Sequence, residues 1–286
     1  MDALLQSLIQ GVLLGGLYAL IGIGMSLIFG IVKLTNLAHG DFLILASYIS
    51  YSVVAATGMN PFVSLIVVIP VMFAIGYIVQ NTMLNRVISK GAEPPLLVTF
   101  GISIVIQNLL LYYYTADARN LRSPIATKSI IITDGIRIPY IYLIGFLVGI
   151  IVIVALGFYF RHTYQGKAIK AAADDREVAQ LMGVNIKSIY GIAMGISMTT
   201  AAIAGVLVGM IYNFYPTSGS AYLVIAFAVV VIGGMGSTYG TLAAGILFGL
   251  AQVMGAHFFG ASAQLLTGYV VLLIMLIFRP QGLFQR

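Results

Sequence analysis

Nine apolar runs, at 4–29, 40–58, 61–85, 95–114, 140–160, 189–212, 222–234, 240–258 and 263–278, take up almost the whole chain. About 20 helical residues cross a hydrocarbon core, so most of these runs reach from one bilayer face to the other. Backbone in hydrocarbon must satisfy its own hydrogen bonds, and runs of this length do so as helices. The sequence therefore predicts an all-α, polytopic membrane bundle of eight or nine segments. Residues 1–286 read as a single transmembrane domain with no room for a soluble one. Only 8% of residues are charged, against roughly 25% in soluble proteins. The run at 222–234 is too short to span and ends in Gly233-Gly234-Met235-Gly236-Ser237, so it reads as half of a broken helix. Residues 1–10 carry one acid and no lysine or arginine, unlike the basic start of a cleaved secretory signal. The first run is expected to stay in place as a membrane helix.

If connections alternate, Arg86, Lys90, Arg161, Lys167, Lys170, Arg176, Lys187, Arg279 and Arg286 fall on one face. Arg119, Arg122, Lys128 and Arg137 fall on the other. The positive-inside rule makes the first face cytoplasmic and puts the C-terminus there. Residues 30–41 read either as a surface loop or as a break within the membrane, and the side of the N-terminus follows from which. The chain has no cysteine, which removes disulfides and thiol chemistry. His39, His162 and His257 are too far apart in sequence to suggest a metal site. No catalytic, cofactor or metal-binding residue is assigned, and a soluble nucleic-acid partner does not fit so few charges. The 32 glycines include GxxxG pairs at Gly11/Gly15, Gly145/Gly149, Gly191/Gly195, Gly205/Gly209, Gly236/Gly240 and Gly245/Gly249. Small residues at this spacing let helix backbones approach closely in lipid.

Charge concentrates in one loop, at about 161–188. Within it, Asp174-Asp175-Arg176-Glu177-Val178-Ala179-Gln180-Leu181-Met182-Gly183 has the grammar of a short helix. Asp174 is expected as N-cap, Glu177 three residues on completes a capping box, and Gly183 is the stop. Val178, Leu181 and Met182 form one apolar stripe beside Ala179. The preceding Lys167–Ala173 segment is expected to prolong the membrane helix before it. A capped apolar helix in water suits the groove of another protein, with lodging on lipid headgroups as the alternative.

Two polar or glycine-rich interruptions stand out. Lys33-Leu34-Thr35-Asn36-Leu37-Ala38-His39-Gly40-Asp41 interrupts an apolar stretch, and such groups usually line a cavity or mark unwound chain. Asn36, His39 and Asp41 could meet a polar solute and Gly40 permits a bend. In the competing reading this is a surface turn with Asn36 or Asp41 capping the next helix, and for His39 a structural hydrogen bond is favoured. Gly233, Gly234, Gly236 and Ser237 form the second interruption. Breaks in both halves of a membrane chain point to a transport path. Thr99, Gln107 and Asn108, at i, i+8 and i+9, are weaker candidates for the same path.

Four segments together resemble the permeases of branched-chain amino-acid ABC transporters: Gly16–Leu20 with Asn36–Phe42, Ala171–Gly183, Ala226–Ser237 and Phe278–Phe284. The resemblance runs from about residue 11 to about 284. It implies a membrane subunit of an importer for leucine, isoleucine, valine or related solutes in a bacterial or archaeal cytoplasmic membrane. It also implies a second related permease subunit, two cytoplasmic ATPases and an extracytoplasmic solute-binding protein. Asp174, Asp175, Arg176, Glu177, Val178, Ala179, Leu181, Met182 and Gly183 would then couple to the ATPase. The chain has no GxxxxGK[ST] phosphate loop, so hydrolysis would belong to the partners. An importer of urea, amides or sugars and an ion-coupled carrier are the rival readings, the latter with Asp41 as its only available acid.

Overall fold

The computed structural model describes residues 2–91, 93–133 and 136–284. The helices are α1 (Asp2–Val32), α2 (His39–Thr57), α3 (Pro61–Thr82), α4 (Glu93–Tyr114), α5 (Tyr140–His162), α6 (Tyr164–Asp174), α7 (Arg176–Leu181), α8 (Ile186–Ile211), α9 (Gly219–Gly233), α10 (Thr238–Phe259) and α11 (Gln264–Phe278). A small antiparallel hairpin, β1 (Ser129–Thr133) and β2 (Ile136–Pro139), lies between α4 and α5, with Ile130 opposite Ile138. Among the described residues, eight helical segments are long and apolar enough to cross a membrane, and α9 is a shorter apolar helix. The chain is a multi-pass helical membrane bundle.

The helices are alike in hydropathy but not in position. α1 and α8 form the centre, with 89% and 78% of their most apolar windows buried, whereas α11 has 6% buried. Lipid is as apolar as leucine, so close backbone contact rather than hydrophobicity holds such helices together. The two GxxxG pairs of α1 and α10 meet face to face: a Cβ on Gly249 would reach the Gly11 carbonyl at 2.6 Å, and one on Gly245 would meet the Gly15 carbonyl and Ala19. Gly149 of α5 lies against the Gly16 carbonyl in the same way, while Gly191 and Gly195 of α8 take the rings of Tyr77 and Phe73 from α3.

One end of the bundle holds the start of α1, the end of α10 and the hairpin. There Gln6 grips Arg137 through both its amide groups, accepting from the backbone N–H at 2.9 Å and donating to the carbonyl at 2.6 Å. Ser7 Oγ lies 3.1 Å from His257 Nδ1. At that end, too, Arg119 pairs by backbone with Phe214, tying the α4–β1 segment to the connection leaving α8. Its guanidinium lies over the Tyr51 ring at 5.5 Å. The other end holds the end of α1, the α3–α4 turn, α6, α7 and the C-terminal segment. Of the basic residues assigned to one face, Arg86, Lys90, Arg161, Lys167, Lys170, Arg176, Lys187 and Arg279 lie in elements at this end, where Lys33 joins them, and Arg286 lies outside the described residues.

Candidate functional site

After α1 the chain doubles back. Lys33 takes a left-handed φ of 54° and its N–H donates to the Phe29 carbonyl, closing the helix. Residues 33–38 then run alongside α1 in extended or turn form, so that His39, the first residue of α2, meets Ile21. His39 Nε2 is 3.0 Å from the Ile21 carbonyl. Ile21 lies eleven residues before Val32, roughly 16 Å along the helix axis. His39 therefore lies inside the bundle, well short of the end of α1, and α1 begins at the end opposite the C-terminal segment.

Asn36 and His39 are each 1% exposed. Asn36 Oδ1 accepts from the Ala38 N–H at 3.0 Å, a local turn rather than a cap on α2. The N-cap position belongs to Ala38, which makes no side-chain cap, so neither Asn36 nor Asp41 caps this helix. Asn36 Nδ2 and His39 Nδ1 have no hydrogen-bond partner among the described residues. Gly40 is helical, not bent. Its hydrogen side faces the first turn of α9, where a Cβ would run into the Gly219 carbonyl and the Leu223 N–H.

The three candidates on α4 separate. Thr99 is buried and its hydroxyl accepts from the Leu37 N–H at 3.2 Å. Gln107 is half-buried and donates from Nε2 to Asp41 Oδ1 at 2.9 Å. Asn108 is exposed and only returns a hydrogen bond to the Ile104 carbonyl. Nine residues at 100° each bring a helix half a turn round, so Thr99 and Asn108 face opposite ways. Ser103, which the sequence reading passed over, completes the inward line of Thr99, Ser103 and Gln107 at i, i+4 and i+8. Asp41 itself, which the sequence offers as a solute contact, a helix cap or an ion site, is 2% exposed. Its isolation as an acid within an apolar run was the available signal.

The second interruption lies elsewhere. α9 starts beside Gly40 and Asp41 and ends at Gly233, roughly 21 Å further along at 1.5 Å per residue. Gly236, with φ +85°, lies against Gly30 near the end of α1. Gly233 lies against Gly240 at the start of α10, and Ser237 N-caps α10 by accepting from the Gly240 N–H at 3.0 Å. Gly234, with φ +92°, lies against Phe284. The last described residues strap this corner: Leu283 and Phe284 donate from their N–H groups to the carbonyls of Ile232 and Gly233. The two interruptions are thus at different depths, and it is the opposite end of α9 that meets the first.

The charged loop forms two helices. α6 does not prolong α5, because Thr163 is extended and caps α6 by accepting from the Gly166 N–H at 2.9 Å. The N-cap of α7 is Asp175, not Asp174, which closes α6. Asp175 Oδ1 accepts from the N–H groups of Glu177 and Val178 at 2.9 and 3.0 Å. Glu177 therefore occupies the second helical position and no capping box forms. Gly183, φ +85°, ends α7 with a complete Schellman pair: its N–H donates to the Gln180 carbonyl and that of Val184 to the Ala179 carbonyl. Ala179 is buried, Arg176 lies over the Tyr190 ring, and Val178, Leu181 and Met182 are 53%, 86% and 80% exposed.

The chain as a whole is similar to known proteins. Residues 7–279 match the family model described as branched-chain amino acid transport system / permease component. The chain is 29% identical to the high-affinity branched-chain amino acid transport system permease protein BraD of Pseudomonas aeruginosa, over 99% of this chain and 96% of that protein. It is 27% identical, over the same shares, to the corresponding permease protein LivH of Escherichia coli. In fold it resembles a chain of PsaBC from Streptococcus pneumoniae in complex with Fab, with TM-score 0.51 and 15% identity over 98% of this chain and 93% of that one. By the family match and the near full-length relatives, the chain belongs to the permease components of branched-chain amino acid transport systems.

Proposed function

We propose that this chain is the membrane subunit of an ATP-driven importer that carries leucine, isoleucine, valine or a closely related solute into the cell. It pairs with a second, related permease, receives solute from an extracytoplasmic binding protein and is driven by two cytoplasmic ATPases. The observation that carries the reading, beside the family match, is the apolar tip of α7. Leucine and methionine held in water on a capped, two-turn helix gain nothing unless they are covered, and a groove on an ATPase covers them. The basic end of the bundle, with α7 and the C-terminal segment, is then cytoplasmic. Asn36, His39, Gly40, Thr99 and Gln107 border the solute path around the start of α2. Gly233, Gly234, Gly236 and Ser237 form its cytoplasmic corner. Asn108, facing outward at mid-depth, meets the second permease rather than the path.

The test is made at the tip. A photo-crosslinker at Leu181 in membranes actively importing leucine captures an ATPase subunit, and Leu181→Asp abolishes uptake while leaving membrane yield at the wild-type level. Capture of lipid alone, with uptake preserved in Leu181→Asp, would remove the docking assignment.

A further inference from the structure

Of the acids among the described residues, only Asp41 is placed at mid-depth in the bundle. Asp2 and Glu93 open membrane helices at their ends, and Asp117, Asp174, Asp175 and Glu177 lie in connecting segments. Asp41 is 2% exposed. Among the described residues the ion pair present is Arg119 with Asp117, so the Asp41 carboxylate has no cation beside it. An uncompensated charge in such surroundings costs several kcal/mol. What faces it is partial positive charge: the Gln107 amide at 2.9 Å, the first turn of its own helix, and the start of α9, where Gly219 leaves room for the carboxylate and none for a Cβ. Two helix N-termini supply unpaired N–H groups and the positive ends of their dipoles.

α4 and α9 each pack on α2, so the first turn of α2 lies between them. Gln107 is half-buried on one side, and Thr217 and Ser220 are exposed on the other. Hydroxyls and amides turned outward at this depth are wasted on lipid.

We infer that Asp41, held in place by Gln107, is the point in the path that reads the ammonium group of the passing solute, whose carboxylate lies toward the start of α9 at Thr217 and Ser220. A zwitterion supplies the missing cation and its own anion meets a helix N-terminus, so both ends are neutralised in one step. The inference rests on the proposed import of aliphatic amino acids and adds where the ammonium is recognised.

The assembled transporter in detergent, treated with a hydrophobic carbodiimide that labels buried carboxyl groups, tests this without a mutation. Millimolar leucine is expected to slow labelling of Asp41 several-fold, whereas the keto acid with the same side chain and sodium ion at equal concentration do not. Absence of protection by leucine, or equal protection by the keto acid or by sodium, overturns the inference. In proteoliposomes, Asp41→Asn is expected to cut leucine uptake about ten- to hundredfold, the worth of a hydrogen bond to a charged group, and Asp41→Glu to restore part of it. Wild-type uptake in an assembled Asp41→Asn transporter also overturns it. A wild-type transporter that imports no leucine, by contrast, removes the import reading itself.

Discussion

At Gly40 a single hydrogen atom decides whether two helices can touch. The sequence reading gave this glycine a bend, yet its backbone is helical and its worth lies in the missing side chain. Gly40→Ala is expected to part α2 from α9, because the added methyl meets backbone atoms, which cannot rotate away. The melting temperature in detergent should fall, and Asn36→Ala, away from that crossing, should lower it less. His39 is a second lesson at this scale. Its bond to the Ile21 carbonyl agrees with the structural hydrogen bond the sequence favoured. That bond also explains how an extended segment is held inside a bundle: a buried ring reaches the carbonyl of a neighbouring helix and fixes its depth.

Capping decides the shape of the elements. A one-residue difference, Asp175 in place of Asp174, moves Glu177 to the second position of α7. Glu177→Pro would take away only one of the two N–H groups from which Asp175 accepts. Asp175→Ala is the sharper change. It leaves two N–H groups without their acceptor and should destabilise α7 by about 1 kcal/mol. Uptake should fall with no change in membrane yield, read by comparing transport with the amount of assembled transporter. The existence of this helix, its Gly183 stop and its apolar tip were legible, because they rest on local residue chemistry. Which of two adjacent aspartates caps it was not, because both satisfy the same local rule and the choice follows from how α6 ends. The outward turn of Asn108 was open to arithmetic on helical angles, whereas the partnership of Gln107 with Asp41 joins residues 66 apart in sequence and needed the folded chain.

Across the whole molecule, glycine seams carry the packing. Gly15→Val and Gly245→Val act on the same contact between α1 and α10, so each should lower thermal stability. The double variant should lose less than the sum of the two, since residues sharing one contact are not additive. A similar change at Gly101, which has open space around it, should do little, and a melting series on the four proteins checks this. The separation of basic residues between the two ends of the bundle makes the same point about scale. Each lysine or arginine is unremarkable alone, and only their common placement gives the bundle a direction.

Sequence alone determined that the chain is a membrane helical bundle, roughly how many segments it has, and that one loop carries a capped helix. Hydrocarbon-length runs, turn residues and capping residues are local quantities, and a bilayer leaves them one outcome. Tertiary structure alone decided that α1 and α8 are central and α11 peripheral, that α2 starts deep inside the bundle, and that Asp41 meets α9 and not a lysine. A leucine facing lipid and a leucine facing another helix have nearly the same transfer energy, so hydropathy cannot rank the helices; close backbone approach does, and it exists only between segments already brought together.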